Sequence, residues 1–89
     1  MNNQQRLLKI RELLEKALQP NHLEIIDDSH LHAGHAGAKE GKGHFTVIIR
    51  SKNFNQKRRI QQHQMIYAAL GNMMQTDIHA LAIQSEADD

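Results

Sequence analysis

The chain contains no cysteine and no tryptophan. Without a thiol it has no internal disulfide, no cysteine nucleophile and no thiolate for a metal site of its own. Aromatic side chains are confined to Phe45, Phe54 and Tyr67, so the core must be aliphatic. Pro20 is the single proline, and four of the five glycines crowd between Ala33 and Gly43. No apolar run approaches the roughly 20 residues that cross a bilayer. The opening MNNQQRLLKI lacks the apolar region of a secretory signal. These absences lead to the expectation of one soluble, cytoplasmic domain over residues 1–89 with no membrane partner. A domain this small buries only about 60–65% of its unfolded surface, which leaves a thin stability margin.

What is abundant is histidine, seven residues in all. Histidine is the usual neutral metal ligand. His30, His32 and His35 lie in DDSHLHAGHAG (Asp27–Gly37), a spacing that suits ligands on an irregular loop. A complete zinc site needs three or four ligands in fixed geometry, and nothing flanking the loop promises that rigidity. His79 stands apart in IHALAI; spacing alone reads it as a strand-end residue with a satisfied ring. His63 reads as a partly exposed helix residue, and His44 and His22 suggest no role. Catalysis is not expected. There is no G-x-S-x-G elbow and no phosphate-binding glycine loop, and Ser29 beside His32 has no visible oxyanion hole.

Charge is balanced in total at +1 but not in place. Lys39, Lys42, Arg50, Lys52, Lys57, Arg58 and Arg59 meet only one acid, Glu40, across the same stretch. Lys52, Lys57, Arg58 and Arg59 lead into a helical pattern, and free N–H groups at a helix start bind phosphate. Phe54, within that turn, reads as a core anchor rather than a stacking platform. Residues 84–89 read as a flexible acidic tail.

Periodicity supplies the elements. Residues 4–18 predict a helix with Leu7, Ile10, Leu14 and Ala17/Leu18 on one side, capped by Asn2 or Asn3 and ended by Pro20. Leu23–Ile26 predicts a strand and Ala33–Gly43 a loop. Phe45–Ser51 predicts a strand with Phe45, Val47 and Ile49 on one face. After a turn at Lys52–Gln56, Lys57–Met74 predicts a helix with Ile60, Ile66, Leu70, Met73 and Met74 on one side and Gly71 as a mild weakness. Ile78–Ile83 predicts a strand whose faces are His79/Leu81/Ile83 and Ile78/Ala80/Ala82. The fold class is α+β. The order α-β-β-α-β gives two layers, with a three-stranded sheet, its first two strands antiparallel, and both helices packed on one face.

Several short segments, taken in order, resemble the BolA family. They are D-x-S-x-x-H-x-G-H at Asp27–His35, HFTVIIRS at His44–Ser51, Phe54 in the turn, H-x-x-I-Y-x-x-L at His63–Leu70 and IHALAI at Ile78–Ile83. The resemblance covers about two thirds of the chain, Leu23 to Ile83, and the first helix fits in position and length. It implies a fold similar to a class II KH domain with a helix-turn-helix element. It also implies a partner, a monothiol glutaredoxin, joined through a shared 2Fe–2S cluster in iron–sulfur trafficking or in redox and iron sensing. Sulfur would come from the glutaredoxin cysteine and glutathione, and the BolA side would supply histidine. The isolated chain is then expected to hold no cofactor. Imidazole ligation of such a cluster is chemically sound, as Rieske centres demonstrate. The resemblance implies His79 as one ligand and His32 as the loop ligand, with His35 the alternative. Some family members are described as DNA-binding transcriptional regulators of stress response and cell shape, which makes DNA the second candidate partner, met by Lys52, Lys57, Arg58 and Arg59. The chain departs from that pattern. Gln62 and Gln64 stand where arginines often flank the helix histidine, and Gln56 stands where glycine is common. His63 matches the motif without an evident task.

Overall fold

The first helix begins where its orphan donors are satisfied. The Asn2 side chain accepts from the Gln5 backbone N–H at 2.8 Å, and Gln5 Oε1 accepts from the Asn2 N–H at 2.9 Å. This is a capping box. Helix α1 (Asn3–Leu18) buries Ile10, Leu14 and Leu18. It stops at Gln19, whose φ of 47° is left-handed, because a proline next in the chain disfavours the α region. The computed structural model describes residues 2–29 and 42–88. The further elements are β1 (His22–Asp27), β2 (Gly43–Ser51), a 3-10 turn (Lys52–Phe54), α2 (Arg59–Leu70), α3 (Met73–Thr76) and β3 (Ile78–Ala87). His30, His32 and His35, with Lys39, lie outside the described residues.

The sheet order is β1-β2-β3, with β1 antiparallel and β3 parallel to β2. A parallel neighbour requires a crossover, and α2 with α3 provides it. Ile25, Phe45, Val47, Ile49 and Ile78 are buried on one face against Ile10, Leu14, Leu18, Phe54, Ile66, Leu70 and Met73. The opposite face exposes Glu24, Ile26, Arg50, Ala82, Gln84 and Glu86. The expected two-layer α+β arrangement is therefore the one found, and Phe54 is the core anchor it was read to be, with 0% exposure.

Three expectations need correction. The helix expected over Lys57–Met74 is two helices, broken at Gly71, whose φ of 56° is one that side-chain-bearing residues rarely adopt. Ile60 is 62% exposed rather than on the buried side; the buried stripe of α2 is Gln62, Ile66 and Leu70. The supposed tail is largely strand: β3 runs to Ala87, Glu86 Oε2 meets Arg50 Nη2 at 3.2 Å, and Asp88 N–H donates to Asn55 Oδ1 at 2.9 Å. Alternation is faint there because small and polar residues occupy an edge strand.

Candidate functional site

β3 does not enter the sheet in step. Gly43 pairs with Ile78 and His44 with Ala80, so His79 has no residue directly across from it. An extra residue of this kind changes which way neighbouring side chains point. Ile78 is buried, His79 and Ala80 are both exposed, and Leu81 and Ile83 pack against the core. The face expected to hold His79 with Leu81 and Ile83 instead holds Ile78 with them. His79 is turned out to solvent by the register shift.

The His79 ring meets that of His44, with centroids 5.0 Å apart and planes at 61°, an edge-to-face contact. His44 is only 3% exposed. Its backbone N–H donates to Ser29 Oγ at 3.1 Å, and its carbonyl accepts from the Asp28 N–H at 2.8 Å. Thr46 Oγ1 donates to the Asp28 carboxylate. Ser29 N–H donates to Asp27 Oδ1 at 2.9 Å, the local turn that aspartate favours. Ser29 Oγ also accepts from Asn3 Nδ2 at 3.0 Å. Asn3 Oδ1 in turn accepts from Arg6 Nη1 at 2.8 Å, and Arg6 Nε lies 3.1 Å from Asp77 Oδ1. The Asp77 carbonyl accepts from the Gly43 N–H at 2.9 Å. One polar network thus joins the first turn of α1, the residues on either side of 30–41 and the approach to His79. The Thr76 hydroxyl and then the Arg6 guanidinium hold the Asp77 carboxyl below its usual range, against partial desolvation. Gly43 is required by space: a Cβ there would lie 2.4 and 2.7 Å from the Phe45 ring and 2.9 Å from Asn3 Oδ1.

Arg6 and Asp77 carry no sign in the sequence, and Asn3 reads there only as a candidate helix cap. Arg6 and Asp77 are 71 residues apart, and no local pattern links them. His44 carries one usable sign, its place at the head of the HFTVIIRS segment. Among the described residues no three metal-ligating side chains converge; His79 stands as a single outward imidazole.

The second expected surface lies elsewhere. Lys52, Lys57, Arg58 and Arg59 are all exposed, on the 3-10 turn and the start of α2. The first turn of α2 has no acidic residue, so three cations sit at the positive end of the helix dipole. That placement is locally unfavourable by a few tenths of a kcal/mol per charge and suits an anionic partner. Gln62 is not part of this surface. It is 8% exposed, donates to the Lys57 carbonyl at 3.0 Å and accepts from Ser85 Oγ at 2.6 Å, pinning the turn to β3. Gln64 is exposed. His63 lines a cleft of about 330 Å³ with Arg59, Ile83, Gln84 and Ser85, and its Nε2 is buried with no hydrogen-bond partner among the described residues. Since Asn55 binds Asp88, the basic turn stands at the far end of β3 from His79. Nine residue steps along the strand separate the two ends by roughly 30 Å.

The BolA-like protein family profile matches residues 14–89. The chain belongs to the BolA-like protein family. It is 40% identical over 84 residues to Protein BOLA1, chloroplastic, of Arabidopsis thaliana, covering 91% of this chain and 52% of that protein. It is 38% identical over 77 residues to the DNA-binding transcriptional regulator BolA of Escherichia coli K12, covering 86% of this chain and 70% of that one. The solved BolA domain of SufE1 from Arabidopsis thaliana superposes with a TM-score of 0.82 at 39% identity, covering 92% of this chain and 91% of that domain. The chain spans about half the length of the Arabidopsis BOLA1 protein and 22% of SufE-like protein 1. The BolA fold implied by the resemblance is the fold present.

Proposed function

We propose that this BolA-like protein partners a monothiol glutaredoxin through a shared, histidine-ligated 2Fe–2S cluster, and acts in iron–sulfur trafficking or in redox and iron sensing rather than as an enzyme. The observation that carries the reading is His79. A register shift turns an imidazole outward beside the root of the segment that holds His32, three residues beyond Ser29, and His35. The donor chemistry fits: neutral imidazole is a sound ligand for such a cluster, and a chain without cysteine leaves the sulfur to its partner. His79 with His32, or with His35 in its place, would be this chain's share, and the cluster would supply reversible one-electron chemistry. The chain's own part is to present the imidazoles and hold the loop root.

Mixing the chain with a monothiol glutaredoxin, glutathione, iron and sulfide under anaerobic conditions should give an absorption spectrum distinct from that of the glutaredoxin homodimer. His79→Ala should abolish that difference, and His32→Ala should reduce it more than His35→Ala. An unchanged spectrum in His79→Ala sinks the assignment.

A second reading is favoured by the cations at the start of α2 and by the name of the Escherichia coli relative. In it the chain binds DNA through Lys52, Lys57, Arg58 and Arg59. Phosphate contacts would give a log–log salt slope of about −0.9 each on duplex DNA. Replacing Lys57, Arg58 and Arg59 with glutamine should flatten the slope by two to three such steps (about 0.9 each). Affinity that survives the replacement refutes this reading.

A further inference from the structure

We infer that His44 is a positioning residue that sets the orientation of His79; the inference deepens the cluster-ligand reading and rests on it for its functional consequence. An exposed imidazole on a strand samples several staggered rotamers, whereas a ligand must be presented in one of them by its surroundings. His79 lacks a cross-strand partner, so the sheet itself does little to hold its ring. The ring set against it belongs to His44, at 5.0 Å and 61°.

His44 is suited to be a fixed wall. It is 3% exposed, and both of its backbone hydrogen-bonding groups are engaged by residues just ahead of the histidine-rich segment: Ser29 Oγ on the N–H and the Asp28 N–H on the carbonyl. The same residue therefore touches the root of one candidate ligand's segment and the ring of the other. An edge-to-face contact favours the contacted rotamer by roughly 3- to 10-fold. His44 would act through His79, touching no cluster atom.

The test uses the full chain and three variants, His44→Phe, His44→Leu and His79→Ala. Side-chain NMR of the free protein reads the χ1 couplings and ring shifts of His79. Cluster retention against a chelator reads the complex with glutaredoxin. His44→Phe keeps an aromatic ring of similar reach, and both readouts should stay near those of the parent. His44→Leu fills space without a ring; its His79 couplings should become averaged and its cluster should be lost about 3- to 10-fold faster. Should His44→Leu fail to fold, His44→Met supplies the same comparison. The ring-to-ring nuclear Overhauser effect of the parent needs no variant, and its absence overturns the inference. So do His79 couplings that are identical in parent, Phe and Leu proteins. If His79→Ala leaves the cluster spectrum intact, the ligand reading fails, while the couplings of the free protein still decide whether His44 orients His79.

Discussion

The two ends of β3 follow different rules. At its start the register slips, consecutive residues His79 and Ala80 face outward, and a partly buried network of Asn3, Arg6, Ser29, His44 and Asp77 holds the surroundings in place. From Leu81 to Ala87 the pairing with β2 is unbroken, and the far end is held by Gln62–Ser85, Arg50–Glu86 and Asn55–Asp88. Regular pairing builds the core face, because strict alternation sends every second side chain inward. Irregular pairing releases one histidine from that alternation. The difference teaches where the proposed ligand would fit in so small a fold: at a break in the ladder, where a side chain is lost to the core at little cost.

The largest effects should come from the aromatic anchors of the two ends. Phe45→Ala and Phe54→Ala each remove a fully buried ring and should cost about 3–5 kcal/mol in denaturant unfolding. At permissive temperature the two should part. On the two proposed readings, Phe45→Ala should weaken cluster retention and Phe54→Ala should weaken DNA binding. Equal damage to both activities would dissolve the distinction between the ends.

Gly43→Ala acts at the slipped end alone. Its Cβ meets the Phe45 ring, and overpacking of this kind should cost roughly 1–3 kcal/mol, measured as a lower denaturant midpoint. Smaller again is the Arg6–Asp77 pair, whose side chains are 11% and 17% exposed. The folded pKa of Asp77 is lowered, so its contribution is complete above the ordinary aspartate value of about 3.9 and disappears as pH falls through the folded value. Asp77→Asn should cost about 1 kcal/mol at neutral pH. The parent and variant stability curves should converge in acid, and parallel curves down to pH ~2 would refute the linkage. At the regular end, Arg50 and Glu86 are 48% and 71% exposed. A double-mutant cycle there should return no more than about 0.5 kcal/mol and should shrink further in salt.

The strands and helices were legible because their residues obey simple periods. Phe45, Val47 and Ile49 alternate, Ile10, Leu14 and Leu18 repeat at helical steps, and Pro20 marks a stop. The site was legible in part. A motif marks His79, yet strict alternation puts it on the wrong face, because a register slip leaves no trace in the residues of the slipped strand. Gln62 stands where the family pattern has an arginine, yet its amide is a buried staple between turn and strand. Gln56, standing where glycine is common, has a φ of 63°. The left-handed backbone of that turn explains why glycine suits the position.

By itself the sequence determined an aliphatic α+β domain, an abundance of imidazoles without thiols, and a run of cations ahead of the second helix. Composition and period suffice for these, since they depend on neighbours along the chain. Only the tertiary structure decided that His79 faces outward, that His44 stands against it, and that the cations lie at the opposite end of the strand. Each of those depends on contacts between residues far apart in the chain, and register is set by the whole sheet rather than by any one strand.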